Sequence, residues 1–392
     1  MSATITAAQA GFNCALSDEQ QMLRDTARQV AQEQFAPKAA HYDHTGEFPQ
    51  DNVRIMAQNE FFGVPFPTEY GGVGADYLSY ALIEEEISKA CASTGVIYSV
   101  QISLASMPVF HFGNEEQKQR FLVPMIKGDK LGSFALSEPS NGSDAAAGRT
   151  AATDDGDHWI LNGTKNFITN AVYGDFYVVF ANTNFDLGHK GMIAVVVEKG
   201  TPGFTFGKLE EKMGIKASAT AELHFENCRV PKANQLGEIG HGFKIALHTL
   251  DGGRIGIAAQ ALGIAQAALD LSRKYSQERL AFGKPISDKQ AIQFMLADMA
   301  TQIEAARLLT WRAAWLKDQG QKYNKEAAMA KLFASETAMA VTTKTVQILG
   351  GYGYLRDFPA ERFMRDAKIT EIYEGTSEIQ RLVIAANVLK GG

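Results

Sequence analysis

The spacing of apolar residues changes twice along the chain, and this limits the fold more than any other feature. From Leu16 to about Met125 the spacing is mostly helical, and Ser17-Asp18-Glu19-Gln20 is a typical helix start. Alternation then predicts strands, as in AELHF (221 to 225), before helical spacing returns after about Gly240. The returning pattern contains one apolar stripe: Ile292, Met295, Leu296, Met299, Ile303 and Ala306. We therefore predict a mostly α protein with a central antiparallel β domain, and domains at 1–125, 126–240 and 241–392.

Several short stretches predict local structure within this plan. FYVVF (176 to 180) and MIAVVV (192 to 197) are apolar runs of strand length. In HWILNGTKNFIT (158 to 169), Asn162-Gly163 lies between two apolar arms, which predicts a two-residue hairpin turn. GGVGAD (71 to 76) predicts a loop.

Composition excludes several classes of partner. The chain has 392 residues, 45% of them hydrophobic, so it can bury a large core. A net charge of −6 and a pI of about 5.8 argue against nucleic acids and anionic membranes. We find no apolar run long enough for a signal peptide or a membrane span. The widely spaced Cys14, Cys91 and Cys228 fit a reducing compartment, so we expect a cytoplasmic bacterial protein, although a mature mitochondrial matrix protein has the same features.

The sequence lacks the motifs of several large enzyme classes. It contains no GxGxxG after a strand, no GxxxxGK[ST], no HExxH and no GxSxG. Dinucleotide-fold, P-loop, zinc protease and α/β-hydrolase hypotheses therefore lose their main support, and we expect no metal.

Four local clusters each have an ordinary structural explanation. FALSEPSNGSD (134 to 144) is typical of a solvated turn, and TLDGGRIG (249 to 256) pairs an acid with a base as many helices do. ERLAFGKP (278 to 285) offers a cation and an aromatic ring suited to a pyrophosphate and an adenine, yet such residues are usually just solvated. QILGGYGY (347 to 354) is typical of a helix C-terminus. Taken singly, no cluster assigns a ligand.

The stretch ITEIYEGTSEIQ (369 to 380) places three glutamates close together, at 371, 374 and 378. Gly375 interrupts it, and Ser377 with Gln380 predicts a capping box that opens a new helix. Glu374 then lies on a connecting loop. From the pattern alone, it is either an ordinary solvated acid or a carboxylate held out of water for proton transfer.

These motifs, with NFITN (166 to 170), occur in the order and at the spacings of one family. Over residues 16 to 390 the chain resembles the flavin-dependent acyl-CoA dehydrogenases. The resemblance implies an N-terminal helical domain, a β-barrel domain and a C-terminal four-helix bundle, with FAD in the cleft between the β domain and the helical bundles. It also implies a homotetramer, built as a dimer of dimers, and reoxidation by an electron-transferring flavoprotein.

The resemblance assigns roles to particular residues. Glu374 matches the catalytic base, and Gly375 beside it matches a substrate contact. Flavin contacts are matched by Phe134, Leu136, Ser137, Phe167, Ile168, Thr169, Thr376 and Glu378. Contacts to the FAD pyrophosphate and adenosine, made partly by a neighbouring subunit, are matched by Arg279, Phe282, Gln290, Gln347, Ile348, Gly350 and Gly351. CoA contacts are matched by Ser143, Asp251 and Arg254.

In the implied reaction, Glu374 removes the α-proton of an acyl-CoA thioester while N5 of FAD takes a hydride from the β-carbon. The Glu374 N–H and a ribityl hydroxyl of FAD bind the thioester oxygen. A carboxylate desolvated there should have a raised pKa. In some relatives the base stands immediately before the arginine of TLDGGR, but here that residue is Gly253.

Similarity in the C-terminal half is closest to the short-chain, butyryl-CoA type. Ile97, Tyr98 and Ile102 fall where relatives shape the acyl pocket, and the absence of Lys or Arg between 89 and 118 disfavours glutaryl-CoA. The chain departs from many relatives at Ser140, where they have Gly, and at Phe167, where they have Trp. The alternatives are a branched-chain or other acyl-CoA dehydrogenase, an acyl-CoA oxidase and, least favoured, a non-enzymatic acyl-CoA-binding helical protein. A nitroalkane-oxidising relative would need an aspartate as base.

Overall fold

The computed structural model describes residues 12–391. The outer limits of the predicted first and last domains, residues 1 and 392, lie outside the described residues. The predicted helix start at Ser17 is confirmed, and Ser17 and Gln20 form a capping box there; the predicted loop at 71–76 precedes a helix that begins at Tyr77. The helices of this first region are α1 (Asp18–Val30), α2 (Ala39–Thr45), α3 (Gln50–Gln58), α4 (Tyr77–Ala90), α5 (Ala92–Ser99), α6 (Met107–Phe112), α7 (Glu115–Gln117) and α8 (Val123–Ile126).

The middle region forms one sheet, with all the strands that the apolar runs predict. Its hydrogen-bonded order is β6-β7-β3-β2-β4-β5-β8, while β1 adds to β4. Most pairs are antiparallel, as predicted, and the parallel contacts join β4 to β1 and to β2. The strands are β1 (Gly132–Ala135), β2 (Ala151–Asp155), β3 (His158–Thr169), β4 (Phe176–Asn182), β5 (Met192–Glu198), β6 (Phe204–Leu209), β7 (Thr220–Pro231) and β8 (Gln235–Leu236).

The predicted hairpin turn at Asn162-Gly163 is wrong. β3 runs through the dipeptide, and its pairing with β7 shifts register between Leu161 and Gly163. The Asn162 side chain accepts a hydrogen bond from the Asn227 N–H at 2.8 Å, while a Cβ on Gly163 would lie 2.6 Å from the Thr150 Oγ1. The dipeptide therefore forms a β-bulge, because pairing with strands on both sides outweighs the local turn preference.

Helices return after the sheet, as predicted. The long helix α9 packs against α4, α10 and α11, and α11 also contacts α12 and α13. The predicted stripe on α10 is confirmed at Met299, Ile303 and Ala306, which are buried. The elements of this region are α9 (Gly242–Glu278), β9 (Leu280–Ala281), β10 (Lys284–Pro285), α10 (Gln290–Asp318), α11 (Asn324–Leu349), α12 (Ala360–Thr370) and α13 (Ser377–Leu389).

A glycine on α9 allows close contact with two N-terminal helices. A Cβ on Gly256 would lie 2.2 Å from the Tyr80 hydroxyl of α4 and 2.5 Å from the Ser99 hydroxyl of α5. These two hydroxyls are 3.0 Å apart, so they form a hydrogen bond in the space that the missing side chain leaves. The junction of α4, α5 and α9 is thus tightly packed but partly polar.

The prediction that no apolar run is long enough to cross a membrane is wrong. Ala92–Phe112 and Gly242–Glu278 are each long enough to cross a membrane, and each contains a window whose mean hydropathy is high enough despite its charged or polar residues. In the fold, 83% of the most apolar window of the first segment and 78% of that of the second are buried. Both segments are therefore core helices of the folded chain.

The three cysteines are free thiols. Cys14 is exposed, whereas Cys91 and Cys228 are buried. Within residues 12–391, no group of three or more His, Cys, Asp or Glu side chains could hold a metal ion.

Candidate active site

The loop between α12 and α13 carries the predicted base. Glu374 adopts the left-handed region with a φ of 53°, and Gly375 follows with a φ of 92°. The loop position that the sequence predicts for Glu374 is therefore confirmed. The predicted cap is wrong by one residue, because Thr376 rather than Ser377 accepts the N–H of Ile379, at 3.4 Å. Gln380 does not close a capping box, since its side chain bonds back to the loop carbonyls.

The Glu374 carboxylate is held away from water. Both carboxylate oxygens are buried and have no hydrogen-bond partner among the described residues, although the residue as a whole is half-buried. Burial raises the pKa of Glu374 to about 7, against the opposing effect of the Lys331 and Arg254 charges. A carboxylate of this kind accepts a proton readily at neutral pH, as a general base requires.

The other two glutamates of the stretch are different. Glu371 forms an ion pair with Lys368 at 2.6 Å, and Glu378 is exposed on the first turn of α13. Hydrogen bonds from its own backbone and from Thr376 lower the pKa of Glu378. Of the three, only Glu374 is a desolvated, unpaired acid.

Gly253 on α9 makes room for this carboxylate. A Cβ at Gly253 would lie 2.0 Å from the Glu374 Oε2 and 3.0 Å from a methyl group of Leu104. Any side chain at 253 would therefore displace the Glu374 carboxylate. An acid at 253 and the observed position of Glu374 exclude each other, which gives a physical reason for a single base.

A second buried acid lies nearby. Glu84 on α4 is fully buried, and its Oε1 accepts a hydrogen bond from the Ser88 hydroxyl at 2.6 Å, while its Oε2 has no partner among the described residues. Burial raises the pKa of Glu84 well above its ordinary value, and the charge of Glu374 raises it further. Burial therefore favours the protonated form of Glu84. Tyr373 also lies here and hydrogen-bonds to Gln260 of α9.

The predicted flavin residues gather around a second bulge in β3. The pairing of β3 with β7 shifts register between Lys165 and Ile168, and Phe167 projects from this bulge with a φ of 59°. The Asn166 N–H donates to the Ser137 carbonyl at 2.9 Å, which joins the bulge to the loop after β1. Phe167 is 68% exposed, although it is a large aromatic side chain. Ile168 is buried, and Thr169 is half-buried.

A buried ion pair supports this flavin-side loop. Lys165 Nζ lies 2.7 Å from the Glu138 carboxylate and 3.2 Å from the Leu136 carbonyl. The same carboxylate accepts the N–H groups of Arg149 and Thr150. The loop that holds Leu136 and Ser137 is thus fixed at both ends.

The flavin-side residues lie close to the base. β1, which carries Phe134, packs against the 100–106 segment, and the Gly132 N–H donates to the Gln101 side chain at 2.7 Å. Leu104 of that segment adjoins Gly253 and Glu374. Thr376 and Glu378 follow Glu374 directly along the chain. The structure therefore brings most of the predicted flavin contacts and the base to one region.

The predicted FAD pyrophosphate and adenosine residues form a separate, distal cluster. Arg279 ends α9, and its guanidinium lies 5.6 Å from the centre of the Tyr352 ring. This contact joins the β9–β10 hairpin to the end of α11, where Gln347, Ile348, Gly350 and Gly351 lie. Phe282 is 96% exposed with a φ of 55°, and Gln290 is exposed at the start of α10. Arg254 lies in the N-terminal half of α9 and Arg279 directly follows its last residue, so the two are about 37 Å apart at 1.5 Å per residue.

The predicted CoA residues divide between two places. The Asp251 carboxylate and the Arg254 guanidinium form an ion pair at 2.6 Å, and the Arg254 Nε is buried without a partner among the described residues. Ser143 is exposed, two residues before a turn that packs against the 185–191 segment.

The sequence analysis missed a basic cavity beside Asp251. It has a volume of about 510 Å³ and is lined by His189, Lys190, Gly240, His241, Phe243, Lys244, Leu247, His248 and Asp251. Five of these residues lie on α9 and Gly240 and His241 just precede it, whereas His189 and Lys190 come from the segment between β4 and β5, so no single stretch of sequence reveals the cavity. The lysines and histidines suit an anion, and Phe243 and Leu247 add apolar surface.

Comparison with known proteins gives a consistent result. Three family profiles match in succession: acyl-CoA dehydrogenase N-terminal domain (residues 17–129), middle domain (133–228) and C-terminal domain (240–389). The mouse (Mus musculus) protein "Short-chain specific acyl-CoA dehydrogenase, mitochondrial" is 56% identical over 375 residues, which cover 96% of this chain and 91% of the mouse protein.

Solved structures agree with the profiles. Butyryl-CoA dehydrogenase from Megasphaera elsdenii has a TM-score of 0.95 and 48% identity, with 96% of this chain and 100% of that chain covered. A chain in a structure described as "Electron transferring flavoprotein of Acidaminococcus fermentans: Towards a mechanism of flavin-based electron bifurcation" has a TM-score of 0.96 and 53% identity, with 97% and 100% covered.

Proposed function

The chain belongs to the acyl-CoA dehydrogenase family, and from this premise we propose that it oxidises a short-chain acyl-CoA thioester to the trans-2-enoyl-CoA. The observation that carries the proposal is the Glu374 carboxylate, which is buried, unpaired and packed against Gly253. A carboxylate in such an environment has a proton-transfer role rather than a structural one, because no ion pair or hydrogen bond offsets the cost of its burial.

The residues of this chain perform the proton transfer as follows. The Glu374 carboxylate takes the α-proton of the bound thioester. Within the described residues, the Glu374 N–H has no hydrogen-bond acceptor, so it is free to bind the thioester oxygen as negative charge develops there. Burial raises the pKa of Glu374, and the charges of Lys331 and Arg254 lower it against that effect. The base therefore stays ionisable near neutral pH.

The flavin-side surface fits FAD. Phe167 is an exposed aromatic face on the β3 bulge; Thr169 follows it two residues later, and the Ser137 carbonyl accepts the N–H of the adjacent Asn166. An exposed aromatic ring offers a flat apolar face on which a flavin ring can stack. When bound, FAD supplies the acceptor for the β-hydride. Phe134, Leu136, Ile168, Thr376 and Glu378 complete the proposed flavin contacts.

The basic cavity supports a CoA substrate. Its lysines and histidines adjoin Asp251 at the N-terminal part of α9, so an anionic group bound there would direct an attached thioester along α9 toward Gly253 and Glu374. Phosphate groups bind well to cationic side chains such as those of Lys190 and Lys244. We propose that the cavity holds the phosphates of CoA and that Asp251, Arg254 and Ser143 contact the same ligand.

The acyl end favours a short chain without a second charge. Ile97, Tyr98 and Ile102 are fully buried, and Leu104 adjoins the base. Burial raises the pKa of Glu84 in the same interior, and no Lys or Arg occurs between residues 89 and 118 to pair with a second substrate carboxylate. We propose butyryl-CoA as the preferred substrate and rank glutaryl-CoA as a disfavoured one.

We propose an electron-transferring flavoprotein as the acceptor and a homotetramer as the assembly. The match to a chain from the Acidaminococcus structure supports the acceptor. The distance of the distal cluster from Glu374 supports an assembly in which each copy contributes Arg279, Phe282 and the 347–351 segment to a neighbour's FAD. We propose a cytoplasmic location in a bacterium, while the mouse relative is named as mitochondrial.

The test is an anaerobic titration of the purified yellow protein with acetyl-, butyryl-, isobutyryl-, glutaryl- and octanoyl-CoA. We expect butyryl-CoA to bleach the flavin fastest. A preference for isobutyryl-CoA would replace the short-chain assignment with a branched-chain one, and rapid oxygen consumption with butyryl-CoA in air would indicate an oxidase. Colourless protein, or flavin that no thioester reduces, would contradict the proposal.

A further inference from the structure

The Glu374 loop has an unfavourable backbone that needs support from outside. Glu374 is not a glycine, yet its φ is 53°, and a left-handed conformation costs such a residue about 1 kcal/mol or more. The loop has six residues between α12 and α13, and its own turns do not determine where the carboxylate points. Side chains from other elements must therefore hold it.

Two buried side chains hold the loop carbonyls. Gln380 on α13 donates from Nε2 to the Glu374 carbonyl at 3.2 Å and to the Gly375 carbonyl at 2.8 Å. Lys331 on α11 donates from Nζ to the same Gly375 carbonyl at 2.7 Å. Both side chains are fully buried. One carbonyl is thus fixed from two different helices.

Lys331 is an unusual residue for a helix interior. It is a fully buried lysine whose hydrogen bond goes to a neutral carbonyl, with no acid bonded to it within residues 12–391. Burial lowers its pKa to about 8, which the Glu374 carboxylate partly opposes. The other charges that act on Lys331 are Arg254, Glu371 and Glu378.

The same lysine acts on the base. Lys331 is the main charge that offsets the effect of burial on Glu374, ahead of Arg254 on α9. The remaining titratable groups that sense Glu374 are Tyr77, Tyr80 and Glu84 on α4, and Tyr373, and burial raises the pKa of each well above its ordinary value. Lys331 therefore supplies both a mechanical and an electrostatic contact to the loop.

We propose that Lys331 is a positioning residue for the base: from α11 it clamps the Gly375 carbonyl and holds its ammonium charge against the Glu374 loop. The inference rests on the proposed function, because it names Glu374 as the base. Gln380 shares the clamp but not the charge. This difference allows the two effects to be separated.

The experiment compares Lys331→Met with Gln380→Met by the rate of anaerobic flavin reduction by butyryl-CoA across pH. In Lys331→Met we expect the rate at pH 7 to fall about tenfold and the pH midpoint to rise by about one unit, with KM nearly unchanged. Gln380→Met should be slower with the midpoint unchanged. Lys325→Met, a surface lysine on the same helix that pairs with Glu326, serves as the matched control and should behave as wild type.

A Lys331→Met protein with the wild-type rate and midpoint would overturn the proposal, as would a slower variant whose midpoint is unchanged, since that result describes a structural role only. If Lys331→Met does not fold with flavin, Lys331→Gln keeps a donor for the Gly375 carbonyl and loses the charge, and the same midpoint shift is required of it.

A second measurement separates this inference from the proposed function. The Glu374 carboxyl band, assigned by its loss in Glu374→Gln, can be titrated by infrared difference spectroscopy without substrate. Its midpoint should be higher in Lys331→Met than in wild type, even if butyryl-CoA proved not to be the substrate. An unchanged midpoint would overturn the inference alone.

Discussion

The Glu374 loop and the distal cluster offer a ligand opposite environments, one buried and one exposed. At the loop, a carboxylate is buried with no partner within the described residues, against the bare backbone of Gly253. At the distal cluster, Phe282 is almost fully exposed on a tight hairpin, and Arg279 lies over Tyr352 at the surface. The first region is complete within one chain, whereas the second has an aromatic face that only another molecule can cover.

The distance between the two regions explains this difference. They lie toward opposite ends of α9, so a cofactor whose ring lies beside Glu374 would not reach Arg279 of the same chain. The family motifs of this chain therefore fall in two separate regions, the Glu374 loop and the distal cluster. We propose that proton transfer depends on the buried Glu374 loop and that cofactor retention depends on the exposed distal cluster. Substitutions confined to one region should therefore affect either flavin reduction or FAD binding, but not both.

Among changes that leave Glu374 itself in place, the largest effect should come from Gly253→Ala. The new Cβ would lie 2.0 Å from the Glu374 Oε2, so the carboxylate must move by an ångström or more. A displacement of this size costs about a hundredfold in rate. We expect flavin reduction by butyryl-CoA to slow by about that factor while FAD content stays normal. Gly142→Ala is the control, since nothing lies within 4 Å of its Cβ; a fully active Gly253→Ala enzyme would contradict the geometry.

Phe282→Ala tests the exposed distal cluster. Loss of an aromatic face that stacks on a base weakens binding by about 1–3 kcal/mol, so FAD affinity should fall about tenfold. Flavin that remains bound should be reduced by butyryl-CoA at the wild-type rate, because the Glu374 loop is unchanged. Equilibrium dialysis and sedimentation give affinity and assembly together. If FAD binding were unaffected, the distal cluster would have no cofactor role.

Lys244→Ala tests the basic cavity, with a smaller expected effect. Lys244 lines the cavity beside His248 and Asp251. Removal of one partly solvated cation should raise KM for butyryl-CoA about fivefold, equivalent to about 1 kcal/mol. KM for butyryl-pantetheine, which lacks the nucleotide, should not change. Equal effects on both substrates would place the nucleotide elsewhere.

Glu84→Met tests whether a second buried carboxylate is needed for flavin reduction. The raised pKa of Glu84 means that the folded state binds its proton more tightly than the unfolded state, so Glu84 lowers stability increasingly as pH rises above its ordinary value. We expect Glu84→Met to be more stable than wild type, by about 1 kcal/mol or more at pH 8 and less at pH 5, with reduction by butyryl-CoA retained. Denaturant unfolding at both pH values measures this. Loss of flavin reduction would assign Glu84 a role that the structure does not indicate.

Much of the fold was predictable because apolar periodicity and caps are local signals. Ser17 and Gln20, the strand runs at 176–180 and 192–197, and the α10 stripe are all as predicted. Errors arose where distant elements decide. Asn162-Gly163 is a bulge because β2 and β7 pair on either side of it, and α9 contains charged residues that interrupt its apolar sequence but not its burial.

The sequence predicted those parts of the site that lie within one stretch of residues. Glu374 stands in a single motif, and its loop position follows from Gly375. The basic cavity joins Lys190 to Lys244 across two elements, so no pattern indicated it. Lys331 sits in an alanine-rich helix, where a lysine usually points to solvent, and only the packing of α11 on the loop reveals its burial. The roles of the individual FAD and CoA residues stay predictions.

The most direct test of the account compares Glu374→Gln with Glu371→Gln in the anaerobic titration with butyryl-CoA. The two changes are chemically identical, three residues apart, but Glu371 is paired with Lys368 and Glu374 is buried and unpaired. We predict that both variants bind flavin, that Glu371→Gln bleaches as wild type does, and that Glu374→Gln loses reduction by about a thousandfold or more. Substantial bleaching of Glu374→Gln would contradict the assignment of the base.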